Sequence, residues 1–91
     1  MIFEWNEAKR AANLAKHGVD FEAVRGFDWE SAARRPDIRR DYGEARWWSS
    51  GFIGVRLHVL IFTWRGERVR VISLRKASDK EKEDHEAQAD P

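Results

Sequence analysis

The chain has 91 residues, of which 42% are apolar and 36% charged, with a net charge of +1 and no cysteine. This length predicts a single domain over residues 1–91, the apolar fraction excludes wholesale disorder, and the lack of cysteine excludes disulfides and thiolate chemistry. The longest apolar run, Val59–Phe62, is too short to cross a bilayer and no signal-peptide pattern is visible, so we expect a cytoplasmic protein.

The charge is distributed unevenly along the chain. Residues 31–76 contain eleven Lys and Arg against four Asp and Glu, whereas the segments on both sides are net acidic. Ten of the eleven cations are arginine, whose planar guanidinium matches the oxygens of a phosphate group. The block therefore favours a phosphate-bearing partner, and the alternative is an ordinary solvated charged surface.

The N-terminal third indicates one strand followed by two helices. Ile2–Trp5 reads as a short strand. Glu7–His17 has alanines at helical spacing, with Asn6 as a good N-cap and Gly18 at the usual left-handed stop. A second helix is predicted over Phe21–Phe27, where apolar residues recur every third position and Asp20 is available as a cap.

The middle of the chain indicates a meander of three antiparallel strands. Trp29–Ala33 could be a further strand, which Pro36 would interrupt. The meander strands are predicted over Ala45–Phe52, Gly54–Trp64 and Arg68–Arg75, where apolar and polar residues alternate with a period of two. Strict alternation places Arg68 and Ile72 on the same face of the last strand.

The last segment, Ser78–Gln88, is compatible with a helix but polar all round, so such a helix would gain little from packing. The order of elements predicts an α+β fold, in which an N-terminal strand and two short helices pack on a small antiparallel sheet and a marginal polar helix follows.

The residues able to carry chemistry are cations and a few proton carriers. The cations on or beside the meander are Arg46, Arg56, Arg68, Arg70, Arg75 and Lys76, and strand pairing is expected to bring them within reach of one another. Such close cations would repel one another and so favour an anion. The proton carriers are Tyr42, Glu44, His17, His58 and His85. The histidines are dispersed, so we expect no metal and no cofactor.

Each proton carrier also has an ordinary structural interpretation. His17 could serve as a cation at a helix C-terminus, and His58 could be a hydrogen-bonded core histidine. Glu44 could simply pair with a nearby arginine, and Tyr42 could be a core ring. Trp47 and Trp48 are adjacent in a predicted strand and so point to opposite faces, which makes one a core residue and leaves the other to stack on a base or meet a partner.

Several stretches together resemble the BrnT family of type II toxins over most of the chain. These are Phe3–Asn6 with Lys9 and Asn13, Lys16–Val19 with Phe21, Tyr42–Glu44 with Arg46, Val69–Ser73, and Arg75–Ala77 with Glu81. The chain departs from the family pattern at Asn6, Leu74 and His85, where aspartate, alanine and tyrosine are expected. The resemblance implies a RelE-like toxin domain, RNA cleavage that stops growth, and a BrnA-like ribbon-helix-helix antitoxin that contacts operator DNA.

The combined hypothesis is a metal-independent endoribonuclease that uses the RNA 2′-OH as nucleophile, in a hetero-oligomer with its antitoxin and away from membranes. The predicted catalytic residues are Arg46, Arg70, Arg75, Glu44 and His17. The predicted RNA-binding residues are Lys16, Arg56, Arg68, Lys76 and Tyr42. The predicted partner-binding residues are Phe62 and Trp64, because the rest of a short chain leaves little to cover that sheet face, and His85, which stands where the family has tyrosine and could contact the antitoxin. The alternative is a non-catalytic module that binds RNA or the antitoxin.

Overall fold

A computed structural model describes residues 1–89 of the protein, and it confirms the α+β class. A mixed five-stranded sheet has the order β1-β5-β4-β3-β2, in which β1 runs parallel to β5 and the other neighbours are antiparallel. The strands are β1 (Ile2–Glu4), β2 (Ala33–Pro36), β3 (Trp47–Ile53), β4 (Arg56–Arg65) and β5 (Arg68–Lys76). The helices are α1 (Glu7–His17), a 3₁₀ helix (Phe21–Gly26) and α2 (Asp79–Ala89).

Helix α1 has the predicted limits because both of its ends are specified locally. The Asn6 side chain accepts a hydrogen bond from the Lys9 amide at 3.1 Å. Gly18 stops the helix in the left-handed region at φ 71°, and its amide donates to the Leu14 carbonyl. The second predicted helix is present as the 3₁₀ helix, with Asp20 accepting from the Glu22 amide.

The main core lies on the sheet face that α1 and the 3₁₀ helix cover, here called the inner face. Its fully buried members include Phe21, Val24, Leu60, Phe62, Val69 and Leu74. The expectation that this face needs a partner to cover Phe62 is therefore wrong, because Phe62 is 0% exposed within its own chain. Trp64, on the same strand, packs edge-on against Phe62 and is 42% exposed.

Strand β2 lies after the position predicted for it. It spans Ala33–Pro36 and pairs antiparallel with β3, so Pro36 ends a strand instead of interrupting one. Proline is tolerated here because β2 is at the edge of the sheet, where a missing amide breaks no ladder on its outer side.

A β-bulge in β5 changes which side chains share a face. Val71 lies opposite Phe62 and Ser73 lies opposite Ile61, so Ile72 is an extra residue without a partner in β4. Beyond the bulge the alternation is reversed, and Leu74 points into the inner core. In a regular strand Arg70 and Arg75 would lie on opposite faces, but the bulge places both on the face away from the inner core, here called the outer face.

Helix α2 rests on part of the outer face through a polar contact. His85, buried although its helix is otherwise polar, shares a hydrogen bond of 2.8 Å between its Nδ1 and the Ser50 hydroxyl. The imidazole also packs edge-on against Phe52 of β3, with ring centroids 5.6 Å apart. The predicted polar helix is thus present, and it contacts the sheet through one buried histidine because it has no apolar stripe.

Asn13 joins α1 to the open edge of β5. Its amide nitrogen donates to the carbonyls of Leu74 and Val19 at 2.7 and 3.0 Å, and its oxygen accepts from the Leu74 amide at 3.3 Å. Asn13 therefore replaces the neighbouring strand that β5 lacks beyond the short β1.

Gly51→Ala is expected to lower the free energy of unfolding by about 1–3 kcal/mol, because overpacking forces neighbouring groups to move. A Cβ at position 51 would lie 2.4 Å from Cζ of Phe27, whose ring packs directly on the strand. Chemical denaturation measures the change, and Gly26→Ala is the control, because its Cβ would meet only Ile53 at 3.6 Å. Equal stability of the two variants would contradict the packing.

Candidate functional site

Two of the predicted catalytic arginines, Arg70 and Arg75, lie on the outer face. Arg70 is opposite Thr63 and Arg75 is opposite Val59, and these two β4 residues share a face. The rise of a strand, about 3.3 Å per residue, separates the two arginine backbones by about 15 Å. They are thus on one surface, but their guanidinium groups bind different carboxylates, Glu4 and Glu81.

Arg75 is the centre of one group of charged side chains, here called the central cluster. Its guanidinium makes a bidentate pair with Glu81 of α2, at 2.7 and 2.9 Å. Glu81 also accepts from the Ser78 amide and so completes a capping box at the start of α2. These bonds, the Arg75 contact first, lower the pKa of Glu81 to about 2.

His17 and Arg39 complete the central cluster. Burial at the end of α1 lowers the pKa of His17, and the charges of Lys16 and Arg75 lower it further. The hydrogen bonds to Glu81 raise the pKa of Arg75, and the positive charge of Arg39 lowers it in part. His17 is therefore a neutral imidazole near an arginine at neutral pH, which is the protonation state of a general base.

A second group of charges, the hairpin-end cluster, lies where β4 and β5 are joined. Nη1 of Arg70 donates to Glu4 of β1 at 2.7 Å, since these two residues are in register. Glu44 accepts from Arg46 at 3.4 Å and from Arg65 at 3.3 Å. Arg46 is linked to this group through the residue before it, Ala45. The hydroxyl of Thr63, which lies opposite Arg70 in the sheet, donates a hydrogen bond to the Ala45 carbonyl.

The loop after β2 holds Tyr42 in a polar setting. Its hydroxyl donates to the buried carboxylate of Asp37 at 3.3 Å, and the guanidinium of Arg46 lies over its ring at 4.1 Å. Arg39 donates two hydrogen bonds of 2.8 Å to Asp37, and this guanidinium holds the pKa of Asp37 at about 2. Tyr42 is half-buried between charged groups and is not a core ring.

The other predicted residues are spread over the surface. Lys16, Arg56, Arg68 and Lys76 are exposed, and Arg68 lies 4.0 Å from Glu4. His58 is buried, and its Nδ1 is 2.9 Å from the Arg56 carbonyl, which agrees with a hydrogen-bonded core histidine. Of the predicted partner-binding residues only Trp64 is exposed, since Phe62 and His85 are buried by the chain itself.

The predicted repulsion among the arginines is wrong, because each predicted catalytic arginine has a carboxylate partner. Arg70 pairs with Glu4, Arg75 with Glu81, and Arg46 with Glu44. Glu4 and Glu81 lie in elements at the two ends of the chain, outside the arginine-rich residues 31–76. The composition of that block alone therefore could not predict these pairs. Any anion that binds at one of these arginines must therefore compete with a carboxylate.

Sequence reasoning missed Arg35 and Arg39. Arg35 lies over the indole of Trp48 at 4.1 Å, and Arg39 reaches the central cluster from the loop. The position of Arg35 could have been predicted from the sequence. If Ala33–Pro36 is treated as an edge strand paired with β3, Arg35 lies on the same face as Trp48. Arg39 had no such signal, because its position depends on a loop.

Acid is expected to weaken the contact between α2 and the sheet. The pKa of Glu81 is depressed in the folded chain to about 2 from an ordinary value of 4.5. Its stabilising contribution is therefore fully present above about pH 4.5 and is lost as the pH falls towards about 2. Denaturant unfolding over this range should show a fall in stability that is smaller in Glu81→Gln. An unchanged pH dependence in this variant would contradict the pairing.

Within residues 1–89, no three His, Asp or Glu side chains form a group that could hold a metal ion. Among the helices of the described residues, none has both the length and the apolar character needed to cross a membrane.

The comparison with known families gives one match. A family described as the ribonuclease toxin BrnT of a type II toxin–antitoxin system matches residues 5–81. No individual curated protein matches the chain. The matched stretch includes α1, strands β2 to β5, and Arg75 with its partner Glu81, and strand β1 lies just before it. The chain therefore belongs to the BrnT family of ribonuclease toxins of type II toxin–antitoxin systems.

Proposed function

We propose that this toxin is a metal-independent endoribonuclease whose outer face binds RNA, with cleavage at the central cluster. The observation that carries the proposal is the position of His17, which lines a surface pocket with Ser73 of β5, two residues before Arg75 on that strand. Burial lowers the pKa of His17, and the charges of Lys16 and Arg75 lower it further. A neutral imidazole next to a fixed cation supplies a proton acceptor and stabilisation for a phosphate that gains charge. RNA itself supplies the nucleophile, its 2′-OH.

In the proposed reaction His17 takes the proton from the 2′-OH, and the 2′-oxygen attacks the adjacent phosphorus. The bond from phosphorus to the 5′-oxygen breaks, and that oxygen takes a proton from water, while His17 later returns its own proton to the solvent. The products are a 2′,3′-cyclic phosphate and a 5′-OH end. Arg75 stabilises the charge on the phosphate oxygens once Glu81 has released it.

We propose that the hairpin-end cluster binds the RNA backbone at phosphates that are distant from the cleaved bond. Arg70 and Arg46 contact further phosphates, and Glu44 positions Arg46. Tyr42, Arg68 and the more distant Lys16, Arg56 and Lys76 extend the basic surface. Such phosphate contacts give affinity that falls with salt concentration and carries little sequence information.

Cleavage is expected to continue in excess EDTA, because the nucleophile and the charge stabilisation come from RNA and side chains. The measurement uses purified toxin without antitoxin and a labelled RNA, followed by identification of the 3′ end as a cyclic phosphate. Loss of cleavage on chelation, with recovery on adding Mg²⁺, would contradict the mechanism.

An antitoxin partner follows from the family, and we propose a BrnA-like, ribbon-helix-helix protein that binds operator DNA for the complex. Trp64 is the predicted partner residue that is still exposed, at 42%. Aromatic residues are frequent hot spots in protein interfaces. We propose that the hetero-oligomer is cytoplasmic and that the antitoxin neutralises the toxin.

The second candidate function is a non-catalytic module that binds RNA or the antitoxin. The carboxylate partners of Arg46, Arg70 and Arg75 favour it, because they neutralise the arginines in this conformation. The cleavage assay above separates the two, since a binding module would retain RNA affinity and leave the RNA intact.

A further inference from the structure

A cavity of about 310 Å³ lies between the outer face and α2, beside the central cluster. The sheet contributes Arg35 and Trp48 to its lining, and α2 contributes Glu81, Asp84, His85 and Gln88. One side is therefore aromatic and the opposite side carries hydrogen-bonding groups. The volume is sufficient for one planar heterocycle of the size of a nucleobase.

Trp48 gives the cavity a rigid flat side. Its indole packs against the buried outer-face residues Leu57, Val59 and Ile61 of β4. The guanidinium of Arg35, itself a planar group, lies over this ring at 4.1 Å. A flat group thus already stacks on Trp48, and a nucleobase, which is also planar, would take the place of Arg35 on the same ring.

The opposite side of the cavity is polar and can read the edge of a base. Asp84 and Gln88 are four residues apart on α2 and so project from the same side of the helix. A carboxylate accepts two hydrogen bonds, and guanine offers two adjacent donors, N1–H and the N2 amino group. The Asp84 side chain is 55% exposed, and its partner, Lys80 at 3.0 Å, is more exposed still, so a base can compete for the carboxylate.

Glu81 connects this cavity to the proposed site of cleavage. It lines the cavity and also makes the bidentate pair with Arg75. A nucleotide whose base occupies the cavity would therefore have its phosphate near Arg75. The phosphate would compete with Glu81 for the arginine, and the base would be held on the other side of the same carboxylate.

We propose that this cavity is a nucleobase subsite that stacks an unpaired guanine of single-stranded RNA on Trp48 and binds its edge through Asp84. The proposal rests on the proposed ribonuclease function and deepens it, because it assigns a base preference to the nucleotide next to the cut.

The test compares binding and cleavage with the same set of RNA oligonucleotides. Four oligonucleotides carry G, A, C or U at one position in an otherwise constant single strand, and a 2′-O-methyl copy of each blocks cleavage so that affinity is measured alone. The toxin variants are Trp48→Leu, Trp48→Phe, Asp84→Asn and the control Glu83→Gln. Glu83 is exposed on the same helix and does not line the cavity.

Wild-type toxin is expected to bind the G oligonucleotide about tenfold more tightly than the U oligonucleotide, as a good bidentate contact predicts. Asp84→Asn should remove this preference and leave the affinity for U unchanged. Trp48→Leu should weaken all four by about tenfold, as loss of one stacked base predicts, and Trp48→Phe should restore part of the affinity. Glu83→Gln should behave like wild type.

The outcomes separate the subsite from the ribonuclease function. Unchanged base preference in Asp84→Asn, with cleavage intact, would overturn the guanine subsite and leave the proposed function standing. A toxin that cleaves none of the RNAs but retains the preference for G would support the subsite and contradict the ribonuclease function. If Trp48→Leu does not fold, Asp84→Asn, an exposed position, decides the question.

Discussion

Replacing Arg75 by alanine is expected to lower the rate of RNA cleavage by about 10²-fold or more, because in the proposed mechanism it removes a donor to the reacting phosphate. Arg75 is an arginine whose charge, after burial and Lys16, lowers the pKa of His17, and a carboxylate already holds it in a bidentate geometry. A phosphate offers the same pair of oxygens, so the site is preorganised for it. Single-turnover cleavage at saturating toxin measures the chemical step without the contribution of binding.

Two variants serve as controls for this result. Arg75→Lys retains the charge but loses the planar fork, so it should recover only a small part of the rate. Arg25→Ala removes an exposed arginine beside Phe3 and Trp5, away from the central cluster, and should cut at the wild-type rate. Near-equal rates for Arg75→Ala, Arg25→Ala and wild type would contradict the assignment of Arg75.

Asn13→Ala is expected to lower the free energy of unfolding by about 3 kcal/mol, the largest effect on stability that we predict. The side chain is 8% exposed and makes three hydrogen bonds to backbone groups of Leu74 and Val19. Its removal leaves buried amide and carbonyl groups without partners, and each such group costs about 1–3 kcal/mol. For a domain of this size the melting temperature should fall by more than about 10 °C.

The matched control is Asn6→Ala, which removes an asparagine from the other end of the same helix. Asn6 is exposed and caps one amide, so its loss should cost about 1 kcal/mol. Both variants should retain the far-ultraviolet circular dichroism of the wild type before melting. A smaller loss of stability in Asn13→Ala than in Asn6→Ala would show that the contact with β5 is not important.

The elements predicted best from the sequence are those whose limits are decided by near neighbours. Helix α1 has a side-chain cap at Asn6 and a glycine stop at Gly18, and both act within one turn. Strand β4 was recognised from its alternation, although it begins at Arg56, after the turn at Gly54. The family resemblance was also recognisable, because the stretches that carry it occur along the chain in the family's order, and the family match confirms it.

The features that the sequence did not reveal depend on contacts between distant segments. The bulge at Ile72 exists only in the pairing of β5 with β4, and it decides that Arg70 and Arg75 share a face. The polarity of α2 gave no sign that His85 would be buried, because Ser50 lies 35 residues earlier. The sequence therefore predicted which types of residue form the candidate site. Their grouping into two clusters could be seen only in the folded structure.

The parallel pairing of β1 with β5 has a consequence for the synthesis of this toxin. Phe3 pairs with Val69, and Glu4 holds Arg70 across 66 positions of the chain. During translation the first strand has no partner until almost the entire chain has left the ribosome. Folds dominated by such distant contacts form slowly, because the chain must close a long loop before it gains their stability. A nascent or truncated chain that lacks β5 thus has neither the pairing of Arg70 with Glu4 nor the completed outer face.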